Sequence, residues 1–354
     1  MVSSLIKEKA LELGFHLVGI APASRFPEAD AYRQWLHQGF AADMGYMARN
    51  VEKREDCRRL FPPARSVIVC GMSYHSSFSS ASEPNDPLRG RISRYGWGND
   101  YHIVVKNRLY ALVEFIRHES AKPVEAKVCV DTVPILERLY GYYAGLGWIG
   151  KNSCLINHQY GSWFFLGEIV LNLDLEVDAP VPDRCGTCTR CLEACPTGAL
   201  IAPRLLDARR CLSYLTIEFD SLIPEALRPA FGNTVFGCDR CQVVCPWNQK
   251  AKAPGCSSFF PKDHLYYPSF EWLLALSSNT FDKIFQKTPI HRTGYQRLLR
   301  NAVVAVGNSG RSDLIPVLHN LSSHTVPLVQ DHIPWALECL AGVQSQTGTQ
   351  SRPT

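Results

Sequence analysis

The sequence predicts an α+β protein with three parts: an N-terminal α/β domain, a small cysteine-rich module and a C-terminal region of helices. Apolar, β-rich runs alternate with helical periodicity up to about residue 175, and the pattern is wholly helical from about Pro289 onward. Seven of the 14 cysteines fall in two tight runs between Cys185 and Cys245. The predicted boundaries are 1–177, 178–255 and 256–345, followed by a polar tail at 346–354 that we expect to be disordered.

The N-terminal domain is predicted from alternating strands and helices. Residues 66–71 and 127–131 are β-rich apolar runs, whereas residues 103–116 have helical periodicity. Residues 1–15 place apolar and charged side chains as in an amphipathic helix. No Gly-x-Gly-x-x-Gly follows a strand and no P-loop occurs, so the sequence does not support a nicotinamide or nucleotide site.

Composition and charge indicate a folded protein of the cytoplasm. Hydrophobic residues make up 46% of the chain and charged residues 20%, which is ordinary for globular proteins. No apolar run is long enough to span a bilayer, and the N-terminus lacks the features of a signal peptide. Because the cytosol keeps thiols reduced, 14 cysteines favour metal binding or catalysis over disulfides. The net charge of +4 neither requires nor excludes a polyanionic partner.

The cysteine-rich module follows a proline-rich boundary, Asp178 to Asp183. Its first run is Cys-x2-Cys-x2-Cys-x3-Cys-Pro, formed by Cys185, Cys188, Cys191 and Cys195. This spacing is that of bacterial ferredoxins, in which two such runs hold two [4Fe-4S] clusters and each run lends its last cysteine to the other cluster. The sequence therefore predicts a ferredoxin-like module that moves electrons.

The second run lacks its opening cysteine. It reads Cys-x2-Cys-x3-Cys-Pro, and Val235 stands at the position of the missing ligand. Since Cys211 is the one other cysteine of the module, we infer that it completes the set. The first cluster would use Cys185, Cys188, Cys191 and Cys245, and the second Cys195, Cys211, Cys238 and Cys241.

Zinc is the alternative for these cysteines, because it also binds Cys-x2-Cys pairs. Zinc sites seldom use seven cysteines at ferredoxin spacing with two Cys-Pro endings, so we favour iron-sulfur clusters. The other six cysteines lie among apolar neighbours and are expected to be inert core residues: Cys57, Cys70, Cys129, Cys154, Cys256 and Cys339.

The C-terminal region reads as packed helices. Residues 297–306 form an apolar helical stretch that ends at Gly307-Asn308-Ser309-Gly310, and a second stretch runs through 314–321. A loosely similar run occurs at 332–337, which resembles one and a half HEAT-like helical repeats. A plain helical subdomain is the alternative.

Asp131 is the candidate proton-handling residue. It stands where a predicted strand runs into Thr132-Val133-Pro134 and a following helix. A carboxyl group beside an apolar run can have its pKa raised by desolvation and act as a general acid. Alternatively, Asp131 or Thr132 caps the N-terminus of the helix, with Pro134 in its first turn.

The sequence resembles the epoxyqueuosine reductase family. The resemblance rests on residues 131–138 (DTVPILER), residues 145–152 (GLGWIGKN), both cysteine runs and Arg300-Asn301-Ala302, and it covers about residues 1–342. It implies a cobalamin-dependent enzyme, related to reductive dehalogenases, that reduces epoxyqueuosine to queuosine at the wobble position of tRNA. Electrons would pass from the clusters to cobalamin, and Asp131 matches the proton donor of the family.

The resemblance also implies further site residues. Those expected to contact cobalamin are Arg54, Arg94, Asp131, Lys151, Asn152, Ser153 and Ser213. No Asp-x-His-x-x-Gly motif occurs, so no histidine is expected to ligate the cobalt from below. The residues expected to contact tRNA are Thr216, Glu218, Arg292, Arg297 and Arg300. The last three lie in the basic stretch 282–300, which can be a phosphate-binding face or simply a solvated helix surface.

Two other functions remain open from the sequence: a cobalamin-dependent reductive dehalogenase and a non-catalytic iron-sulfur electron carrier. The dehalogenase predicts a twin-arginine signal peptide, which is absent, and needs no helical tail. The carrier would contain no corrin. For the favoured function we expect a tRNA substrate, an external low-potential electron donor and a monomeric protein.

Overall fold

The computed structural model describes residues 2–76, 86, 89–253, 255–322 and 325–347. The chain forms two compact units that interleave along the sequence. Unit 1 consists of Met1–Ser77, Asp100–Arg209 and Arg240–Phe260; unit 2 consists of Phe78–Asn99, Arg210–Asp239 and Pro261–Thr354. The predicted boundaries at 177 and 255 follow chain order, whereas each unit gathers segments that are distant in sequence.

The elements are numbered along the chain. The strands are β1 Leu17–Pro22, β2 Ser66–Ser73, β3 Arg91–Ile92, β4 Ala126–Cys129, β5 Trp148–Ile149, β6 Leu155–Ile156, β7 Phe164–Leu171, β8 Leu200–Ala202, β9 Leu205–Leu206 and β10 Thr234–Phe236. The helices are α1 Val2–Glu12, α2 Ala29–His37, α3 Gly45–Ala48, α4 Val51–Glu55, α5 Cys57–Leu60, α6 Tyr101–Glu119, α7 Glu137–Tyr143, α8 Arg190–Glu193, α9 Leu212–Ile217, α10 Arg228–Phe231, α11 Arg240–Val243, α12 Pro246–Gln249, α13 Phe270–Leu274, α14 Ser278–Phe285, α15 Tyr295–Ser309, α16 Ile315–Ser322, α17 Pro327–Gln330 and α18 Ile333–Thr347.

Unit 1 is built on a four-stranded sheet in the order β1-β2-β7-β4. All three strand pairs are antiparallel. The predicted strands at 66–71 and 127–131 and the predicted helix at 103–116 are confirmed, but the sheet is not the parallel one typical of α/β domains. Alternation of strands and helices does not decide strand direction, because long connections allow either direction.

Helices cover both faces of this sheet. On one face, α6 approaches so closely that a Cβ on Gly167 would lie 2.6 Å from the Val105 side chain. On the other face, α7 requires a glycine at position 19, where a Cβ would lie 2.0 Å from the Ala144 carbonyl oxygen. The register places Gly19, Val69, Glu168 and Cys129 in one row across the four strands. Glu168 therefore lies mid-sheet, on the face that α7 covers.

Each cysteine run contains a one-turn helix, and both of these helices lie in unit 1. The one-turn helix α8 carries Cys191, and the one-turn helix α11 carries Cys241. Cys245 precedes α12, whose first residue is Pro246, a position that suits proline because the first N–H of a helix has no partner within it. Turns this short bring cysteines three or four positions apart close together. Cys211 and Cys238 belong to unit 2.

Unit 2 is packed around α15. This helix buries ten consecutive residues, from Leu298 to Gly307, and contributes to an apolar core shared with α13, α14, α17 and α18. It ends at Gly310, whose φ of +71° is the left-handed conformation favoured at helix C-termini. The short strands β3 and β10 pair in parallel within the same unit. The helices predicted at 297–306 and 314–321 are confirmed.

The last helix, α18, extends to Thr347, two residues into the segment predicted to be disordered. The rest of that segment, 348–354, lies outside the described residues. Within the described ranges, no helix combines the length and apolar character needed to cross a bilayer.

Candidate active site and cluster-binding site

Asp131 lies just beyond the carboxyl end of β4, at the edge of the antiparallel sheet where β2 also ends and β7 begins. Its φ of +54° is uncommon for a residue with a side chain, and such strain is found where the surrounding structure holds a functional group in place. Its backbone N–H donates to the Glu137 carboxylate, and half of its side chain is exposed. The helix-capping alternative is wrong, because α7 begins at Glu137 and its N-cap residue is Leu136.

His102 contacts the Asp131 carboxylate, although it belongs to none of the motifs in the sequence. Its Nε2 lies 3.1 Å from Asp131 Oδ2, and its Nδ1 lies 2.6 Å from Asp100 Oδ1. Asp100 is the N-cap of α6 and accepts the His102 backbone N–H at 3.0 Å. When Asp100 accepts the Nδ1 proton, the Nε2 lone pair faces Asp131, so a proton is required between these two groups. An aspartate before a helix, such as Asp100, can be recognised from the sequence as an N-cap. The contact between His102 and Asp131 depends on the fold, which brings the start of α6 to the end of β4.

Glu137 lies on the other side of Asp131. Burial is the main cause that raises the pKa of Glu137 to about 7, and the nearby charge of Asp131 adds to this effect. The Asp131 N–H, Arg138 and His102 act in the opposite direction without cancelling it. The site therefore contains two acids and one imidazole, and Glu137 is the member with a pKa near neutral pH.

Besides Asp131, the residues predicted to contact cobalamin in unit 1 divide into two groups. Arg54 and Ser153 each have a buried polar atom, Nε and Oγ respectively, that has no hydrogen-bond partner among the described residues. Lys151 and Asn152 instead contact the cysteine loops. Lys151 Nζ donates to the carbonyls of Gly186 at 2.7 Å and Cys188 at 2.9 Å, and Asn152 Nδ2 lies 3.5 Å from the Cys241 carbonyl.

The other two predicted cobalamin contacts belong to unit 2. Arg94 is buried; its backbone N–H donates to Asp239 at 2.7 Å, and its guanidinium lies 5.7 Å from the Trp97 ring centre. Ser213 is half-buried in α9. The contacts of both residues with cobalamin stay predictions.

The four cysteines assigned to the first cluster line a single cavity of about 220 Å³ in unit 1. The exposed cations on its wall are Arg184, Arg190 and Lys250. Burial raises the pKa of Cys191 and of Cys245, and neighbouring thiols add to the effect. A bound metal cluster has to displace these protons, so the cavity is suited to a cationic iron-sulfur core that compensates thiolate charge.

Two ligands assigned to the second cluster, Cys195 and Cys241, lie in unit 1, and the other two in unit 2. Burial opposes ionisation of Cys195, but the backbone N–H groups of Leu200 and Ala199 and the Thr197 hydroxyl outweigh it and lower the pKa of the thiol. The inference that Cys211 is a ligand stays a prediction. Across the described part of the chain, no three His, Cys, Asp or Glu side chains converge on a single-ion site.

The predicted tRNA contacts differ in exposure. Glu218 and Arg292 are exposed. Arg297 is about one-quarter exposed and donates to the Ile217 and Glu218 carbonyls at 3.1 and 3.0 Å. Thr216 and Arg300 are fully buried, so the prediction that their side chains contact tRNA is wrong for this structure.

The buried pair has structural roles in unit 2. Thr216 Oγ1 donates to the Leu212 carbonyl at 2.7 Å and accepts the Gly237 N–H at 2.9 Å. The Arg300 guanidinium donates to three backbone carbonyls, those of Leu215, Phe219 and Ser221. A basic sequence stretch does not reveal which of its cations are directed inward.

Comparison with known proteins places these features in a family. Residues 54–132 match the family model described as "Epoxyqueuosine reductase QueG, DUF1730". Epoxyqueuosine reductase of Xanthomonas campestris is 41% identical over 335 residues, which cover 94% of each chain. The Escherichia coli enzyme is 40% identical over 94% of this chain and 88% of its own. The chain belongs to the epoxyqueuosine reductase family. It is therefore an oxidoreductase and not a non-catalytic electron carrier.

The structures of family members agree with this one over nearly the whole chain. A crystal structure of epoxyqueuosine reductase with an epoxyqueuosine-modified tRNA-Tyr stem loop has a TM-score of 0.89 at 30% identity, covering 100% of this chain and 96% of that one. The Streptococcus thermophilus enzyme has a TM-score of 0.88 at 29% identity, with the same coverage. Residues 184–248 match the model of a 4Fe-4S double cluster binding domain, a range that includes all eight cysteines assigned as ligands.

Proposed function

We propose that this protein reduces epoxyqueuosine to queuosine at the wobble position of tRNA. Family membership supports the reaction, and the relative solved with a modified tRNA stem loop supports the substrate. The observation that carries the proposal is the Asp131 carboxyl, half-exposed at the edge of the sheet and contacted by His102. Reduction of an epoxide to an alkene releases its oxygen as water, so the site needs an acid at the departing oxygen.

Cobalamin is the proposed cofactor, and the unpaired buried atoms of Arg54 and Ser153 fit a polar ligand. The corrin ring carries amide side chains, which can accept from a guanidinium N–H and accept from or donate to a hydroxyl. Bound cobalamin supplies electron transfer from cobalt to the substrate, and the two clusters supply its electrons. Arg54 and Ser153 would hold the ring, with Lys151, Asn152, Arg94 and Ser213 as further predicted contacts.

In this proposal Asp131 protonates the substrate oxygen as the ring opens. An acid already in place beside a strained C–O bond stabilises the departing oxyanion, an effect of about 10²–10⁴-fold in general acid catalysis. His102 holds the carboxyl in position through Nε2, and Asp100 holds His102 through Nδ1. The backbone strain at Asp131 is consistent with a side chain held in one orientation.

The helices of unit 2 are proposed to bind the tRNA, as HEAT-like repeats that present a basic surface. Arg292 is exposed in the short 3-10 helix Pro289–Thr293, and Glu218 is exposed after α9. Phosphate contacts by exposed cations make affinity fall steeply with salt. Replacement of Arg292 by Ala should therefore raise KM more than it lowers kcat. The external electron donor, the monomeric state and the cytoplasmic location stay predictions.

The test is replacement of Asp131 by Asn in the full chain carrying both clusters and cobalamin. Queuosine and epoxyqueuosine released from digested tRNA are measured by mass spectrometry. The variant should lose turnover while its iron-sulfur and corrin absorbance match the wild type. Asp174→Asn is a matched control, because Asp174 is an exposed carboxylate after β7. Wild-type turnover in Asp131→Asn would overturn the acid role.

A further inference from the structure

The proposed reaction consumes one proton more than the single proton that Asp131 carries. This inference rests on the proposed function: an epoxide, two electrons and two protons give an alkene and water, with both C–O bonds broken and both protons on the leaving oxygen. Asp131 holds one transferable proton at a time. A second proton has to reach it before the oxygen departs as water.

Glu168 is an unusual buried acid close to that site. It lies in β7 directly between Val69 of β2 and Cys129 of β4, two residues before Asp131. Its side chain is 0% exposed, and no hydrogen-bond donor of the described residues reaches either carboxylate oxygen. An ionised carboxylate without donors is very costly inside a protein, so Glu168 is held as the neutral acid.

The group that faces Glu168 is the carboxyl of Glu137, the first residue of α7. Two carboxylates cannot hydrogen-bond to each other, whereas a carboxylic acid donates to a carboxylate. The proton of Glu168 therefore forms the hydrogen bond between them. Glu137 Oε1 accepts the Asp131 N–H. Glu137 thus links the buried acid to the residue that faces the substrate.

The charged and titratable groups around this pair come from every neighbouring element. They are Asp131 after β4, Arg138 of α7, His102 of α6, and the thiols of Cys129 in β4 and Cys70 in β2. Burial raises the pKa of both thiols, so they stay protonated. Arg138 donates to the Ser153 carbonyl. Burial is the main cause that raises the pKa of each glutamate, the Asp131 charge adds to both, and the neighbouring Glu137 adds to the effect on Glu168.

We propose that Glu137 supplies the second proton by re-protonating Asp131, and that neutral Glu168 positions Glu137 through a carboxyl-to-carboxylate hydrogen bond. Asp131 first gives its proton to the substrate oxygen and becomes a carboxylate. Glu137 then transfers its proton to Asp131, and the resulting Glu137 carboxylate accepts from Glu168, which keeps its own proton. Solvent returns a proton to Glu137 after product leaves. Both glutamates act through Asp131.

The kinetic test follows single turnover against pH in the reduced, fully loaded enzyme. In the wild type the rate should fall as pH rises through about 7, because Glu137 donates only when protonated. Glu137→Gln should lower the rate about 10²-fold and remove this pH dependence. Glu168→Gln, which keeps a neutral donor, should stay within a few-fold of wild type. Glu168→Leu removes the hydrogen-bond donor that stabilises the Glu137 carboxylate. The rate should therefore begin to fall at a higher pH than in the wild type.

A second measurement does not depend on activity. Infrared spectra of the full chain should contain the C=O stretch of a buried carboxylic acid even at about pH 9, where ordinary carboxyls are ionised. This band should be absent in Glu168→Gln. Its presence in that variant, or a wild-type pH profile in Glu137→Gln, would overturn the proposal and leave His102 as the second acid. Failure of the proposed function itself is seen separately, as turnover in Asp131→Asn.

Discussion

Replacement of Arg300 by Met tests whether this arginine supports the fold or binds tRNA. In the structure its Nη1 donates to the carbonyls of Phe219 at 2.7 Å and Ser221 at 3.0 Å, and its Nη2 to the Leu215 carbonyl at 2.7 Å. Methionine is similar in length and apolar, so it fills the space without restoring these bonds. The variant therefore leaves the carbonyls of Leu215 in α9, and of Phe219 and Ser221 after it, without these donors.

The expected loss of stability follows from two opposing contributions. The three hydrogen bonds from the charged guanidinium to backbone carbonyls contribute about 1.5–3 kcal/mol each, or roughly 5–9 kcal/mol together, and two further bonds to Asn301 Oδ1 stay within α15. Burial, with a smaller effect of Arg297, lowers the pKa of Arg300 to about 10. This change of roughly 2.5 pKa units corresponds to about 3 kcal/mol of charge burial that the methionine variant avoids. The free energy of unfolding should fall by about 2–6 kcal/mol.

Urea denaturation followed by tryptophan fluorescence measures this loss. Arg292→Met is the matched control, because Arg292 is exposed in the same basic stretch and should change the free energy of unfolding by less than about 0.5 kcal/mol. Arg292→Met should weaken tRNA binding instead. An Arg300→Met protein with wild-type stability and lowered tRNA affinity would show that our assignment of Arg300 is wrong.

Two further predictions concern the clusters and acid stability. Cys211→Ser should reduce bound iron from about eight to about four atoms per chain, as should Cys245→Ser, whereas Cys256→Ser should not; full iron in Cys211→Ser would exclude it as a ligand. His332 is fully buried in unit 2, accepts the Ile223 N–H at 3.0 Å, and burial lowers its pKa from 6.5 to about 4. Since the unfolded chain binds a proton more readily, stability should fall as pH decreases from about 6.5 to about 4. The melting temperature of His332→Asn should fall less across this pH range than that of the wild type. An equal fall in melting temperature would contradict the role of His332.

Local sequence predicted much of the fold because local interactions form it. The helices at 103–116 and 297–306 and the strand at 66–71 follow from side-chain periodicity and from a glycine that can adopt the left-handed conformation. Strand direction depends on long connections and distant packing, so the antiparallel sheet was not predictable in this way. The interleaving of the two units along the chain also depends on packing between distant segments, so it was not predictable from local sequence.

The residues of the candidate site also divide into those that local sequence predicts and those that only the fold brings together. Asp131 was found from the sequence, because it follows a strand and lies in a family motif. His102 and Glu137 were not selected, although Glu137 stands in that motif, because a motif does not reveal which side chains touch. Glu168 belongs to no motif and stands in a largely apolar run of the sequence. Its position becomes informative once the register places it beside Cys129.

The feature that the sequence determined by itself is the double-cluster module, since cysteine spacing limits which thiolates can meet on one cluster. The sequence also determined the family, through motifs spread over most of the chain. The tertiary structure decided the direction of each charged side chain. It turned Arg300 inward to backbone carbonyls and placed the Glu137 carboxylate against the backbone N–H of Asp131. The number of charged side chains follows from the composition. Whether a charged side chain is buried, and which groups it contacts, depends on segments that meet only after folding.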